Sequence, residues 1–220
     1  MPIDEFQRRV ATLALRAIGP LGFALGGGNA LMIHGIIDRR TYDVDLMVDR
    51  EGAVAEAVAA VEDAMCAAGL TARRVERRTD LSDMFEGFDL ELADWVIADH
   101  ADGRATQLQI AHISRLHATV MMDVGPVLAL EDVIGSKVCA LAGRYESRDF
   151  ADVADARDRY TVAQLIALAR ALDPGLGAED FADVGDRLDA LEDEVFTEEL
   201  GLDPPAVAEL RDRLADWPRS

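Results

Sequence analysis

Two aspartates that lie two residues apart could together bind a metal ion. Asp43 and Asp45 belong to the stretch DVDLMV, whose alternation of polar and apolar residues predicts a β-strand. On a strand, both carboxylates point to the same side. Carboxylates held side by side repel each other unless a cation lies between them, and hard divalent ions such as Mg²⁺ or Mn²⁺ suit such a pair. The spacing therefore predicts a metal site that also holds triphosphate oxygens.

A run of glycines precedes the acid pair. The apolar segment FALG predicts a short buried strand that stops at Gly26, Gly27 and Gly28. Because glycine has no Cβ, the backbone can turn tightly there and come close to a ligand. Asn29 can cap the next segment, NALMIHG, whose spacing is helical, so that backbone N–H groups at the helix start face an anion. A phosphate cradle beside a metal pair is typical of a nucleotide-using transferase.

Each of these signals also has a simpler explanation. A GGG run is often only a turn, and a chain with 42 Asp plus Glu residues contains D-x-D pairs by chance. The order and spacing of the two signals within one strand–turn–helix–strand unit favour the functional interpretation.

The stretch from Phe23 to Asp49 resembles the first motif of the AbiEii-type nucleotidyltransferase-like toxins, part of the DNA polymerase β-like nucleotidyltransferase superfamily. That motif is a hydrophobic strand, two small residues, a short helix, an Arg-containing loop and D-x-D. The matching positions are Gly27, Gly28, Arg40, Asp43 and Asp45.

A second group of charged residues lies in LEDVIGSKVCALAGRYESRDFADVADARDRY, where the apolar periodicity predicts two helices with a break near position 146. Lys137 and Arg144 are two turns apart on one side of the first helix, and Asp149 and Asp152 are neighbours on the second. Salt-bridged helices would explain this pattern, and so would groups that bind a triphosphate. The pattern resembles the second and third motifs of the same family at Lys137, Leu141, Arg144, Arg148, Asp149 and Asp152.

The resemblance implies the toxin of a toxin–antitoxin pair, with a cognate antitoxin as its partner. The polar N-terminus and two cysteines without metal or redox spacing predict a cytoplasmic location. It implies transfer of a nucleotidyl group from an NTP, with release of pyrophosphate, and a tRNA 3′ end is the acceptor we favour. It further implies that Asp43 and Asp45 hold the metal, that Lys137 neutralises phosphate charge, and that Asp149 orients Lys137 or acts on the acceptor hydroxyl. The residues implied to bind nucleotide or phosphate are Gly27, Gly28, Asn29, Arg40, Arg144 and Arg148.

One position departs from the family pattern. The third carboxylate is expected on a later strand, and in TQLQIAHI the comparison puts Ala111 at that position. Asp123, Asp149 or a water would then complete the metal site, since Gln107 and Gln109 are neutral and poor substitutes for a charged ligand. This leaves open a catalytically weak, partner-binding relative.

Composition limits the class of protein. A formal net charge of −20 argues against a protein that coats nucleic acid, so a nucleic-acid acceptor requires a local basic patch. Arg73, Arg74, Arg77 and Arg78 could form such a patch or a merely solvated face. The acidity also suits a cationic small molecule, which leaves an aminoglycoside-type nucleotidyltransferase as an alternative.

Two further features of the sequence bear on location and chemistry. The polar N-terminus and the absence of apolar runs of about 18 residues predict a protein with no membrane segment. Lys137 is the single lysine among 22 Lys plus Arg residues, which points to a site that needs a compact ammonium group.

We expect an α/β (α+β) fold: a short mixed nucleotidyltransferase-like sheet flanked by helices, with a helical C-terminal part. We assign residues 1–125 to the α/β core and residues 126–220 to a helical part that completes the active site. Beyond the acid pair, strands are expected over Leu90–Ala98, Ala105–Ile113 and His117–Asp123, the last turned by Gly125 and Pro126.

Overall fold

The computed structural model describes residues 3–75 and 91–220. The chain divides into two compact units. The first comprises the described residues of Met1–Ile33 and Asp38–Ala129, and the second comprises His34–Ile37 and Leu130–Ser220.

The first unit contains a mixed β-sheet with helices. Its elements among the described residues are α1 (Glu5–Ile18), a 3₁₀ turn (Gly19–Leu21), β1 (Ala24–Leu25), α2 (Gly27–Ile33), β2 (Asp43–Val48), α3 (Ala53–Ala67), β3 (Thr71–Val75), β4 (Leu92–Asp99), β5 (Arg104–His112), β6 (Val120–Met122) and β7 (Gly125–Val127). The strands that the structure describes lie in the order β3-β4-β5-β2-β1-β7-β6. The strand β2 runs parallel to β5 and antiparallel to β1. The predicted mixed α/β fold is confirmed.

The alternation of β2 separates a core face from a polar face. Val44, Leu46 and Val48 are fully buried, whereas Asp43 and Asp45 are partly exposed. Helices α1 and α3 pack against this sheet, and α1 begins where the Asp4 carboxylate accepts hydrogen bonds from backbone N–H groups of its first turn. Burial of one row of apolar side chains therefore fixes the side on which the two aspartates lie.

The hairpin after β5 differs from the prediction. The strands β6 and β7 are antiparallel with Met122 opposite Gly125, so the turn lies at Asp123 and Val124. The turn predicted at Gly125 and Pro126 is wrong, because Gly125 instead begins β7 with a φ of +126°. The predicted boundary between residues 125 and 126 falls inside this strand, whose Val127 pairs with β1.

The second unit is helical over its described secondary structure. Its helices are α4 (Leu130–Arg144), α5 (Ser147–Ala156), α6 (Val162–Leu172), α7 (Ala178–Ala190), α8 (Asp193–Leu200) and α9 (Pro204–Arg213). Helix α4 packs against α5, α6 and α7. The expected helical C-terminal part is confirmed. In the part of the chain that the structure describes, no helix has the length and apolar character needed to cross a membrane.

Candidate active site

The acid pair lies on the polar face of the first unit's sheet. Asp43 and Asp45 begin β2, and the parallel neighbour β5 places Gln107 opposite Asp43 and Gln109 opposite Asp45. Side chains in register on neighbouring strands share one face. The candidate site therefore has two adjacent carboxylates and two carboxamides on a single face.

The glycine run makes room for one of these carboxylates. Helix α2 begins at Gly27, whose φ is +58°, and the Gly26 N–H donates a 2.8 Å hydrogen bond to the Asp45 carbonyl. A Cβ built on Gly27 would collide with the Asp45 carboxylate, lying only 2.7 Å from its carboxyl carbon. At Gly28 a Cβ would lie 2.8 Å from the Thr41 methyl group. Asp45 thus packs directly against the start of α2.

A buried polar network fixes the position of Asp43. Asn29 is only 1% exposed, and its Nδ2 donates a 2.8 Å hydrogen bond to the Asp43 carbonyl. The Thr41 hydroxyl donates to Asn29 Oδ1 at 2.6 Å, and Gln7 Nε2 donates to the Thr41 carbonyl at 3.0 Å. The Asn29 side chain therefore connects α2 to the first residue of β2. Its predicted contact with phosphate stays a prediction.

Arg40 lies in the exposed loop that leads into β2. Its guanidinium carbon lies 5.9 Å from the centre of the Tyr42 ring, and Tyr42 is 74% exposed. That distance is within the range of a cation–π contact. An arginine and an aromatic ring thus stand at the surface just before Asp43.

The second unit contains a nearly buried ion-pair network. Lys137 Nζ lies 2.9 Å from Asp152 Oδ2 and 3.3 Å from Asp149 Oδ1. The Lys137 side chain is 13% exposed, and both aspartate side chains are 0% exposed. Arg144 contacts Asp149 with two nitrogens, Nε at 2.7 Å and Nη2 at 3.1 Å. A compact ammonium enclosed by two carboxylates is consistent with a lysine at this single position.

The turn between α4 and α5 brings these residues together. Tyr145 adopts a φ of +54°, which reverses the chain directly after Arg144. Helix α5 begins at Ser147, so Asp149 lies in its first turn, where the helix dipole favours a carboxylate. Burial disfavours the charged form of Asp149, but the hydrogen bond from Arg144 and the charge of Lys137 outweigh it and lower the pKa of this carboxyl. Asp149 is therefore ionised at neutral pH.

Arg148 lies at the start of the same helix but faces another acid. Its Nε contacts Glu146 Oε2 at 2.7 Å, and its side chain is 43% exposed. Of the predicted phosphate-binding arginines in the second unit, Arg144 belongs to the Lys137 network and Arg148 lies beside it at the surface.

A protein-family model matches most of the chain. The model described as the nucleotidyl transferase AbiEii toxin of type IV toxin–antitoxin systems matches residues 13–217. The chain belongs to the AbiEii nucleotidyl transferase toxin family. The resemblance seen in the motifs is confirmed, the protein is a nucleotidyltransferase, and membership implies an antitoxin partner.

Two solved structures have a similar fold. JHP933 from Helicobacter pylori is 16% identical with a TM-score of 0.57, over 96% of this chain and 88% of that chain. MenT4, a nucleotidyltransferase toxin from Mycobacterium tuberculosis H37Rv, is 16% identical with a TM-score of 0.58, over 96% of this chain and 82% of that chain. No curated protein sequence gives a significant match. At this identity the structural likeness supports the AbiEii-type fold.

The strand register bears on the third carboxylate expected in an AbiEii-type site. On β5, the residue opposite Asp45 is Gln109. Ala111 lies two residues further along the same strand, opposite Met47. Asp123 is not near this row: its side chain is 93% exposed and contacts Arg8 at 3.6 Å. Among residues 3–75 and 91–220, no group of three or more His, Cys, Asp or Glu side chains could hold a metal ion.

Sequence reasoning missed the residue that accompanies Gln109. Asp94 on β4 lies opposite Gln109 and is 8% exposed, and Gln109 Nε2 donates a 2.8 Å hydrogen bond to Asp94 Oδ1. The available signal was a single acid inside the otherwise apolar strand LADWVIA. An acid at a buried strand position needs a hydrogen-bond donor, and here a glutamine supplies it.

The residues of this AbiEii family member fit a hard divalent ion. Asp43, Asp45 and Gln109 offer only oxygen ligands, and the space that a Cβ of Gly27 would fill holds the Asp45 carboxylate. Carboxylate and carbonyl oxygens suit Mg²⁺ and Mn²⁺, whereas softer metals prefer nitrogen or sulfur.

Gly27→Ala should displace the Asp45 carboxylate, in addition to straining the backbone at position 27. A non-glycine residue at positive φ costs about 1–2 kcal/mol of folding free energy, and the new methyl group must also displace Asp45. Gly69→Ala is a matched control, because Gly69 has a φ of +74° and a Cβ there would meet nothing within 4 Å. We expect both variants to lose stability in urea unfolding, and only Gly27→Ala to lose transferase activity. Equal losses of transferase activity in the two variants would contradict a specific role for Gly27 beside Asp45.

Proposed function

We propose that this AbiEii-family nucleotidyltransferase transfers a nucleotidyl group from an NTP to the 3′ end of tRNA and releases pyrophosphate. The proposal rests on the acid pair Asp43 and Asp45, held on one sheet face with Asp45 packed against Gly27. Transfer of this kind needs positioned charge and no nucleophilic side chain, because the acceptor hydroxyl is itself the nucleophile.

The divalent ion would be Mg²⁺ or Mn²⁺, held by Asp43 and Asp45. When bound, it supplies positive charge to the triphosphate oxygens and to the leaving pyrophosphate. The buried Asn29 network supports this assignment, because it fixes the backbone from which Asp43 extends. A rigid carboxylate pair loses little freedom when it binds.

The phosphates would contact backbone N–H groups of Gly27 and Gly28 and the side chain of Arg40. The first N–H groups of a helix have no partner within that helix. A carboxylate pair without an ion would repel phosphate, so the ion and the triphosphate bind together. We propose that the Asn29 side chain positions Asp43 and that its backbone N–H faces the phosphate.

In the second unit, Lys137 and Arg144 would neutralise phosphate charge, with Arg148 as a further cation. The two contacts from Arg144 hold the Asp149 carboxylate in place, which supports the proposal that Asp149 orients Lys137. A carboxylate with a lowered pKa is a weak base, which disfavours Asp149 as the group that takes the acceptor proton.

A nucleic-acid acceptor requires basic surface on a chain of this charge. Arg73 and Arg74 are exposed on β3, at one edge of the described sheet, and Arg40 with Tyr42 offers a cation beside an exposed ring. Arginines contact the phosphate backbone, and an exposed aromatic ring can stack on an unpaired base. The predicted partners Arg77 and Arg78 lie outside the described residues.

The net charge of −20 favours a second candidate, a cationic small molecule of the aminoglycoside class. An acidic protein attracts such an acceptor without any basic patch. A catalytically weak relative that only binds a partner would transfer nothing.

The acceptor is identified by incubating the protein with each α-labelled NTP, Mg²⁺ and either total tRNA or an aminoglycoside. We expect label in tRNA, and none in tRNA whose 3′-terminal diol has been oxidised by periodate. Label in the aminoglycoside alone would establish the second candidate, and label in oxidised tRNA would exclude the 3′ end as the acceptor.

A further inference from the structure

We infer that Gln109 and Asp94 act as a pair at the acid site: Asp94 orients the Gln109 carboxamide, whose oxygen serves as a neutral ligand beside Asp45. This inference rests on the proposed metal-dependent function. Gln109 is thereby assigned the place of a third carboxylate, and Asp94 becomes a positioning residue.

The register of three strands places these residues in one row. Asp45 lies opposite Gln109, and Gln109 lies opposite Asp94. Neighbouring strands are about 4.8 Å apart, so Asp45 and Asp94 are separated by two spacings, or about 10 Å. Asp94 therefore lies two strands away from the acid pair, and Gln109 on β5 fills the position between them.

The chemistry of the pair fixes which end of the carboxamide faces Asp94. Gln109 presents its NH₂ group to Asp94, because Nε2 donates a 2.8 Å hydrogen bond to Asp94 Oδ1. The carboxamide oxygen lies on the other side of the same carbon and is turned away from Asp94. Because Asp94 is 8% exposed, water offers little competition for this contact.

A carboxamide oxygen is a weaker ligand than a charged carboxylate, but the ion that the acid pair would hold accepts it when it is held in place. Mg²⁺ and Mn²⁺ accept carbonyl oxygens together with carboxylates. A neutral third ligand leaves the site one negative charge short of a three-carboxylate site. The Asp94 carboxylate compensates by holding that ligand in place, as hydrogen-bonded carboxylates do for many metal ligands.

A merely structural pair would behave differently on substitution. In that case Gln109 would serve only to satisfy the buried Asp94, and metal affinity would not depend on its oxygen. Gln109→Met separates the two possibilities, because it retains length and neutral charge but removes the carboxamide. Gln164→Met is the control, because it makes the same substitution at an exposed residue of α6 that is not part of the acid site.

The experiment measures Mn²⁺ binding by isothermal titration calorimetry and by electron paramagnetic resonance. We expect Gln109→Met to weaken Mn²⁺ binding by about 10-fold or more, because loss of a direct ligand should cost at least as much as loss of an outer partner, while Gln164→Met changes it little. Circular dichroism checks that each variant is folded. Unchanged binding in folded Gln109→Met would overturn the inference.

A double-mutant cycle tests whether Asp94 acts through Gln109. Asp94→Asn should weaken Mn²⁺ binding in the wild-type background, because an asparagine can accept either orientation of the carboxamide. The same change should have little effect in the Gln109→Met background. Equal effects in both backgrounds would show that Asp94 acts only through its charge, and the positioning role would be lost.

The same binding measurement, made also on Asp45→Asn, separates this inference from the proposed function. Wild-type protein that binds no Mn²⁺, or binds it as well after Asp45→Asn, would contradict the metal site itself. Binding that depends on Asp45 but not on Gln109 would leave the metal site intact and overturn only the role of the pair.

Discussion

Asp45→Asn is expected to lower the rate of nucleotidyl transfer by about 10²–10³-fold, as when one preorganised charge-stabilising group is lost. The asparagine has nearly the same shape, so it still fits against Gly27, but it cannot provide the charge that holds a divalent ion. Initial rates with a labelled NTP measure the effect. Asp43→Asn should behave in the same way, because both carboxylates lie on one face of β2.

The stability of these variants distinguishes a lost site from a lost fold. Removing one of two adjacent carboxylates relieves repulsion, so metal-free Asp45→Asn should unfold at the same temperature as wild type or slightly higher. Asp123→Asn provides the control, since the Asp123 side chain is 93% exposed. Normal transfer by both Asp43→Asn and Asp45→Asn would show that the site lies elsewhere.

Lys137→Met is expected to lower the free energy of unfolding by about 3–5 kcal/mol, the usual cost of breaking a buried ion pair by removing one partner. Asp149 and Asp152 are both fully buried, and methionine leaves them without the ammonium that lies between them. Urea unfolding measures the loss. Arg50→Met, which breaks an exposed pair with Glu56, should cost far less.

A second substitution tests whether the loss arises from electrostatics. In Lys137→Met/Asp152→Asn one of the two carboxylates has become neutral, while Asp149 keeps its two contacts with Arg144. The double variant should therefore recover part of the lost stability. If Asp152→Asn adds a further loss to Lys137→Met, the Lys137 contribution comes from packing and not from charge.

Local periodicity was sufficient to predict the parts of the site that lie on one element. The alternation of DVDLMV places Asp43 and Asp45 on one side of a strand, and the structure has them there. Helical spacing likewise predicts that Lys137 and Arg144 share one side of α4, and both contact Asp149. In these cases the period of the element determines the geometry.

The remaining geometry depends on contacts between elements that are distant in sequence. The partner of Asp45 on β5 is Gln109 because of the register of a parallel strand pair, which no local pattern in TQLQIAHI specifies. The burial of Asn29 depends in the same way on Thr41 and Gln7. The glycine run is a further example, since the neighbour that forbids a Cβ at Gly27 is Asp45, eighteen residues later.

The most direct test of the proposed chemistry compares one NTP labelled at the α-phosphate with the same NTP labelled at the γ-phosphate. Nucleotidyl transfer carries the α-phosphorus to the acceptor and releases the other two phosphates together. We therefore expect α-label in the acceptor, γ-label only in pyrophosphate, and both products to form about 10²–10³-fold more slowly with Asp45→Asn. Transfer of γ-label to the acceptor, or release of γ-label as free phosphate without any transfer, would contradict a nucleotidyltransferase site at Asp43 and Asp45.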